Sequence, residues 1–353
     1  MAIEPEVLAQ FASAAYRNAS DENRILAPTG WVQIATYPAV GSSDSRITGF
    51  SAAAYRGPDG DIVIAYAGTN YLNDWVFANG PAALGVYSPQ VVQAAQFYWE
   101  VLTRPDVGVA NKNRIAFTGH SLGGGLASLM AAYFDLPATT FDSAPFERSA
   151  FGSVLSQYAA TFAAMGISDS SWQQYRAAQA SGTLAQLFEQ REAAVSHKFV
   201  TNEALAALRR QYTAIVGPET PLDSGSANAH VSPVALHSVL LAWAMLSNSD
   251  FAAEVRELPR LFALIDDEQL FKRERTDREQ DFLTLLLKFE RDTAMLTQFT
   301  GDLKDVSGKF SAASATVGDA LIALTIAHYY RMSNGFDAQL GEAVKNIAGG
   351  ARP

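Results

Sequence analysis

The chain has 353 residues, of which 48% are hydrophobic and 18% charged, with a formal net charge of −10 and no cysteine. That length and apolar content suffice for one large α/β domain with an accessory region, or for two domains, and exclude a disordered chain. The acidic balance argues against nucleic acid as a partner, and the lack of cysteine excludes disulfides, thiolate metal sites and a cysteine nucleophile.

In chain order, Val7, Leu8, Phe11 and Ala15 recur at helical spacing and predict an opening helix over Pro5 to Arg17. Trp31 to Thr36 reads as a strand. Phe50 to Arg56 and Ile62 to Ala67 are β-rich runs joined by Gly57-Pro58-Asp59-Gly60, a turn signal that predicts a hairpin. Pro89 to Leu102 reads as a helix with Val91, Val92, Ala95, Tyr98 and Leu102 inward. A strand at 115–118, a helix to about Phe134 and a strand from Thr139 to Asp142 follow. Strands alternating with helices predict an α/β sheet with helices on its faces. The stretch from Phe146 to about Ala194 is helical, with an insertion over 147–194 as a candidate cap. Strands resume at His197 to Thr201 and Tyr212 to Val216. A Gly/Pro/Ser/Asn-rich loop spans Gly217 to Ser232, and an apolar helix around His237 follows it. The expected division is a catalytic domain over 1–248 and a helical C-terminal region over 249–353, with helices at Phe251 to Ile265, Phe271 to Phe299 and Val317 to Met332.

The most informative stretch is Ile115-Ala116-Phe117-Thr118-Gly119-His120-Ser121-Leu122-Gly123-Gly124. Strand formers run into Gly-His-Ser-Leu-Gly and a helix-compatible run follows, which is the layout of a nucleophile elbow. The flanking glycines allow a tight turn, and the helix start directs unpaired N–H groups and a positive dipole end toward the serine. A serine nucleophile requires a base and an acid to orient that base. Of five histidines, His120 is expected to turn away as scaffold, while His197 and His328 read as structural or surface residues. His230 and His237 remain, and His237 is favoured because a polar group on an apolar helix demands a partner. For the acid, Glu203 follows strand 197–201, Asp223 follows strand 212–216, and Asp142 ends the strand after the elbow. Glu203 is the chosen acid and Asp223 the alternative.

A strand ending in Gly68-Thr69, then Asn70-Tyr71-Leu72-Asn73-Asp74-Trp75, and then Gly-His-Ser-Leu-Gly-Gly resembles the class 3 lipase family, α/β-hydrolases acting on lipid esters. The resemblance covers residues 50 to 245. It implies an α/β-hydrolase fold with a mixed, mostly parallel sheet, to which the residue pattern adds a helical insertion and a helical C-terminal region; the helical tail after 249 is not part of the family's common core. It also implies an oxyanion hole formed by the N–H groups of Thr69 and Leu122, and a lid over Tyr71 to Tyr87. Thr139 to Pro145 resembles the family's strand ending in a small-residue–Pro turn. Val200 to Leu205 resembles its strand ending in Asn-Asp, with Glu203 where the family has Asp. Ala67 stands where the family typically has Arg. Leu236 to Leu241 resembles lipase-like domains of large bacterial secreted proteins, although the calcium-binding glycine-rich repeats of those proteins do not occur in this sequence.

The resulting expectation is a carboxylic ester hydrolase, a lipase or esterase, in which Ser121, His237 and Glu203 act on lipid or other apolar esters with transient contact at a lipid interface. The alternatives are a phospholipase A1, a polyester depolymerase, an acyltransferase, or a non-catalytic binding scaffold. No metal or organic cofactor is required. Met1 to Glu6 lacks the basic and apolar regions of a signal peptide, and the longest apolar run, Val234 to Leu246, is too short to span a bilayer. These features suggest a soluble protein of bacterial origin, either cytoplasmic or exported without an N-terminal signal. A mature form trimmed of its signal would read the same, and the oligomeric state stays open.

Overall fold

The computed structural model describes residues 3–16, 27–28, 30–38, 49–68, 85–206, 209, 216–225, 233–247 and 252. A seven-stranded sheet has its strands in chain order: β1 (Val32–Tyr37), β2 (Ala52–Arg56), β3 (Ile62–Tyr66), β4 (Ile115–His120), β5 (Ala138–Phe141), β6 (Val195–Val200) and β7 (Glu219–Leu222). β1, β2 and β3 pair antiparallel, and β3 to β7 are parallel. The predicted turn closes the β2–β3 hairpin, where Gly57 N–H donates to Asp61 O at 2.8 Å.

Alternation along the strands divides the interior in two, because successive side chains point to opposite faces. Ile62, Ile64, Tyr66, Ile115 and Phe117 pack with helices α2 (Pro89–Leu102) and α3 (Leu122–Phe134). Val63, Ala65 and Ala67 face α1 (Pro5–Ala14) and α8 (Val239–Ser247) on the other side. With both faces covered, β3 is buried along its whole length, and a parallel strand of this kind reads as an unbroken apolar run.

The predicted helical stretch becomes α4 (Gly152–Ala164), α5 (Ser170–Ser181) and α6 (Leu184–Glu192). Its aromatic side chains Phe162, Trp172 and Tyr175 are buried in the α2/α3 core, where Trp172 lies 4.9 Å from Tyr133 of α3, centroid to centroid. Asp169 caps α5 by accepting from Ser171 N–H at 2.8 Å, and it also receives Lys112 Nζ at 2.8 Å. Arg191 is buried and donates to Ala132 O and Tyr133 O at 2.9 and 3.0 Å, so a cation satisfies carbonyls in the last turn of α3.

Two expectations require revision. Among the described residues a strand forms at Glu219–Leu222, inside the segment read as loop; of the strand expected over Tyr212 to Val216 only Val216 is described, and it is buried and not in a strand. β7 is the sheet edge, mostly exposed and interrupted by Pro221, so it lacks the apolar alternation that marks a strand, and an edge position tolerates the proline. Second, the helix around His237 is broken: α7 (Pro233–Leu236) ends just before it and α8 starts at Val239. Tyr212 to Ile215 and the predicted helices beyond residue 252 lie outside the described residues.

Candidate active site

Parallel pairing brings the ends of β3, β4, β5 and β6 to one edge of the sheet, where open α/β sheets commonly form their binding crevices. Three residues just past those ends carry positive φ without being glycine: Ser121 (57°) after β4, Asp142 (43°) after β5 and Asn202 (62°) after β6. Such strain persists only where the surroundings over-determine it, and it concentrates at functional sites.

Ser121 links β4 to α3 at φ 57° and ψ −126°. Its N–H donates to Phe141 O at 3.0 Å, and its carbonyl accepts from Ala144 N–H at 3.0 Å, so β5 and the segment after it hold the turn. The glycines on either side allow the crossing. A Cβ on Gly119 would lie 2.3 Å from Gly123 O, and one on Gly123 would lie 2.0 Å from Tyr66 O. Leu122 opens α3, so its N–H has no intrahelical acceptor and stands beside the serine. Gly68, after β3, approaches closely as well: a Cβ there would meet Ser121 Cβ at 3.0 Å. Thr69 and the proposed lid up to Leu84 lie outside the described residues, as does His230.

His237 is buried in the break between α7 and α8. Its Nδ1–H donates to Glu203 Oε2 at 2.5 Å, and the same oxygen accepts from Leu205 N–H at 2.7 Å. The other carboxylate oxygen forms an ion pair with Arg209. Burial opposes ionisation of Glu203. The hydrogen bond and charge of His237, with the charge of Arg209, outweigh it and hold the carboxyl below its usual range. Asp223, the alternative acid, is exposed, and its carboxylate accepts from Gly225 N–H at 3.0 Å.

Asp142, the third candidate acid, is fully buried, and its Oδ1 accepts from Val200 N–H at 2.7 Å. Burial, and then the charge of Glu203, push its carboxyl well above the usual range. The expectation for His120 is corrected: the side chain does not turn away. It is buried with its ring centroid 4.7 Å from that of His237, and its Nδ1 lies 2.7 Å from the hydroxyl of Tyr16. Burial, and then the neighbouring His237, hold its imidazole well below the usual pKa. A sequence signal for this existed in the strand alternation. Thr118 Oγ1 lies 3.1 Å from Leu8 O of α1, so residue 120 shares the α1 side, which is also the α8 side. Among the described residues, His237 Nε2 has no hydrogen-bond partner, so the serine and imidazole are not yet joined; such bonds often tighten only with substrate.

No helix of the described residues is long and apolar enough to cross a membrane. Residues 7–226 match the family model of a Tle-like phospholipase domain, a phospholipase-like family. The matched segment contains Thr69, Ser121, Glu203 and Asp223 and ends before His237. The match supports a lipase- or phospholipase-like family and does not single out class 3 lipases. A comparison with curated proteins found no match.

Proposed function

Because the chain belongs to the Tle-like phospholipase domain family, we propose that it is a serine hydrolase of α/β-hydrolase type that cleaves the carboxylic esters of phospholipids. The observation that carries this reading is the buried His237–Glu203 hydrogen bond, at 2.5 Å, with the His237 ring 4.7 Å from that of His120, the residue before the strained Ser121 turn. Ser121 Oγ attacks the ester carbonyl while His237 Nε2 takes its proton. Glu203 holds the imidazole with its proton on Nδ1 and stabilises the imidazolium that forms. The N–H groups of Thr69 and Leu122 receive the negative charge that develops on the carbonyl oxygen. His237 returns the proton to the departing lysophospholipid alkoxide, leaving the acyl group on Ser121. Water, deprotonated by His237, then releases the fatty acid. The segments resembling class 3 lipases also favour action on simpler lipid esters by the same steps.

The test is hydrolysis of phospholipid vesicles with analysis of the products. The expected pair is a fatty acid and a lysophospholipid, and release of a phosphorylated head group would contradict an acyl-enzyme on Ser121. Glu203→Gln is expected to lower kcat on the order of 10⁴-fold, whereas Asp223→Asn leaves it within a few-fold. The reverse ranking would move the acid to Asp223.

A further inference from the structure

His120 and Asp142 have no step in the mechanism above, yet they lie against its base. His120, Asp142 and His237 each offer one ligand atom, and these atoms lie within 4.8 Å of one another, with all three residues buried. His120 Nε2, Asp142 Oδ2 and His237 Nε2 have no hydrogen-bond partner among the described residues. His120 Nε2 and Asp142 Oδ2 are 3.9 Å apart. The base function accounts for His237 Nε2, but nothing in the mechanism accounts for His120 Nε2 and Asp142 Oδ2, and native interiors pair nearly all their buried polar groups.

The opposite sides of both rings are already held. His237 Nδ1 faces Glu203 Oε2 at 2.5 Å, and His120 Nδ1 faces the Tyr16 hydroxyl at 2.7 Å. The Glu203 carboxylate, which can only accept, keeps the His237 proton on Nδ1 and presents Nε2 as a lone pair, the outer arrangement found behind metal-bound histidines; the Tyr16 hydroxyl can accept from His120 Nδ1–H in the same way once a metal takes Nε2. Two imidazoles and one carboxylate form the donor set of a zinc-type ion. At metal–ligand distances of about 2.1 Å, tetrahedral ligand atoms stand about 3.4 Å apart. The 3.9 Å pair therefore needs to close by about half an ångström, and the widest separation in the set, within 4.8 Å, by up to about 1.4 Å, so that metal binding draws the His237 ring inward.

We propose that His120, Asp142 and His237 form a site for a divalent transition metal of the zinc class, and that filling it switches the enzyme off by occupying the nitrogen of the base. Metal binding stands on the geometry alone, while the inhibitory consequence rests on the hydrolase reading.

The test titrates Zn²⁺ into the full chain against a chromophoric chelator, and in parallel measures fluorophosphonate labelling. One zinc per chain is expected, with labelling falling as the site fills and recovering on addition of EDTA. Ser121→Ala should keep its zinc, because the serine is not a ligand. His120→Gln and Asp142→Asn should lose it. Tyr16→Phe, which trims a single hydroxyl and avoids disturbing the buried ligands, should weaken binding about 10–100-fold. No zinc taken up by the wild type, or uptake undiminished in all three of these variants, overturns the site. Zinc bound at these residues without loss of labelling overturns the switch. A wild type that binds zinc but is never labelled counts against the hydrolase reading and leaves the metal site standing.

Discussion

Ser121 occupies a backbone conformation that costs on the order of 1–3 kcal/mol, and the residues around it carry charges that burial alone would not allow. Glu203 remains ionised because His237 and Arg209 compensate it, whereas His120 and His197 are held neutral by burial and Asp142 is driven toward its neutral form. The consequence is a sloping stability profile. As pH falls below about 6.5, the unfolded chain binds protons at His120 and His197 that the folded chain refuses. Each histidine then removes up to about 1.4 kcal/mol of stability per pH unit. The contribution of Glu203 is present above about 4.5 and is lost only as pH falls through its lower folded value. Asp142 has the opposite sign, since its raised value favours the folded state as pH falls. Urea midpoints are therefore expected to drop between pH 7 and pH 5.5, where the histidines titrate first. His197→Gln, which leaves the Ser121 cluster intact, should flatten that drop. Equal midpoints at the two pH values in the wild type would contradict neutral buried histidines.

At the scale of elements, the turn between β4 and α3 depends on two backbone approaches that no side chain can survive. Gly123→Ala would set a methyl 2.0 Å from Tyr66 O, against backbone that cannot step aside without parting β3 from α3. The expected loss is about 3 kcal/mol or more, read as a lower urea midpoint; a midpoint within 1 kcal/mol of wild type would mean that the crossing is looser than described. This element was legible in the sequence because its requirements are local: strand formers, two small residues and a helix start lie within ten consecutive positions. The β2–β3 hairpin was legible for the same reason, through its Gly57-Pro58-Asp59-Gly60 turn. β7 was not, because an exposed edge strand of Glu-Thr-Pro-Leu is held by pairing to β6 and carries no apolar pattern of its own.

At the scale of the molecule, the sheet is packed on both faces and draws the site from four strand ends and one helix break. Ser121 could be read from its neighbours in sequence. Glu203 is legible only indirectly, from its place after a strand and from the resemblance of Val200 to Leu205, because its partner lies 34 positions away and pairs with it through the fold. The hydrogen-bonding role of His120 matches the sequence reading, but its orientation does not show there, because its partner Tyr16 lies more than a hundred residues earlier. The insertion α4–α6 adds its aromatic side chains to the α3 core, so Trp172→Ala should cost about 3–5 kcal/mol in urea denaturation; a near-neutral change would show the insertion to be a detachable layer. The central claim, that Ser121 is an activated nucleophile, is tested most directly by fluorophosphonate labelling of the wild type and of Ser121→Ala, with and without detergent micelles. One label per wild-type chain is expected, at Ser121, and none in the variant. A folded wild type that stays unlabelled in micelles, or a variant that labels as well as the wild type, would contradict it.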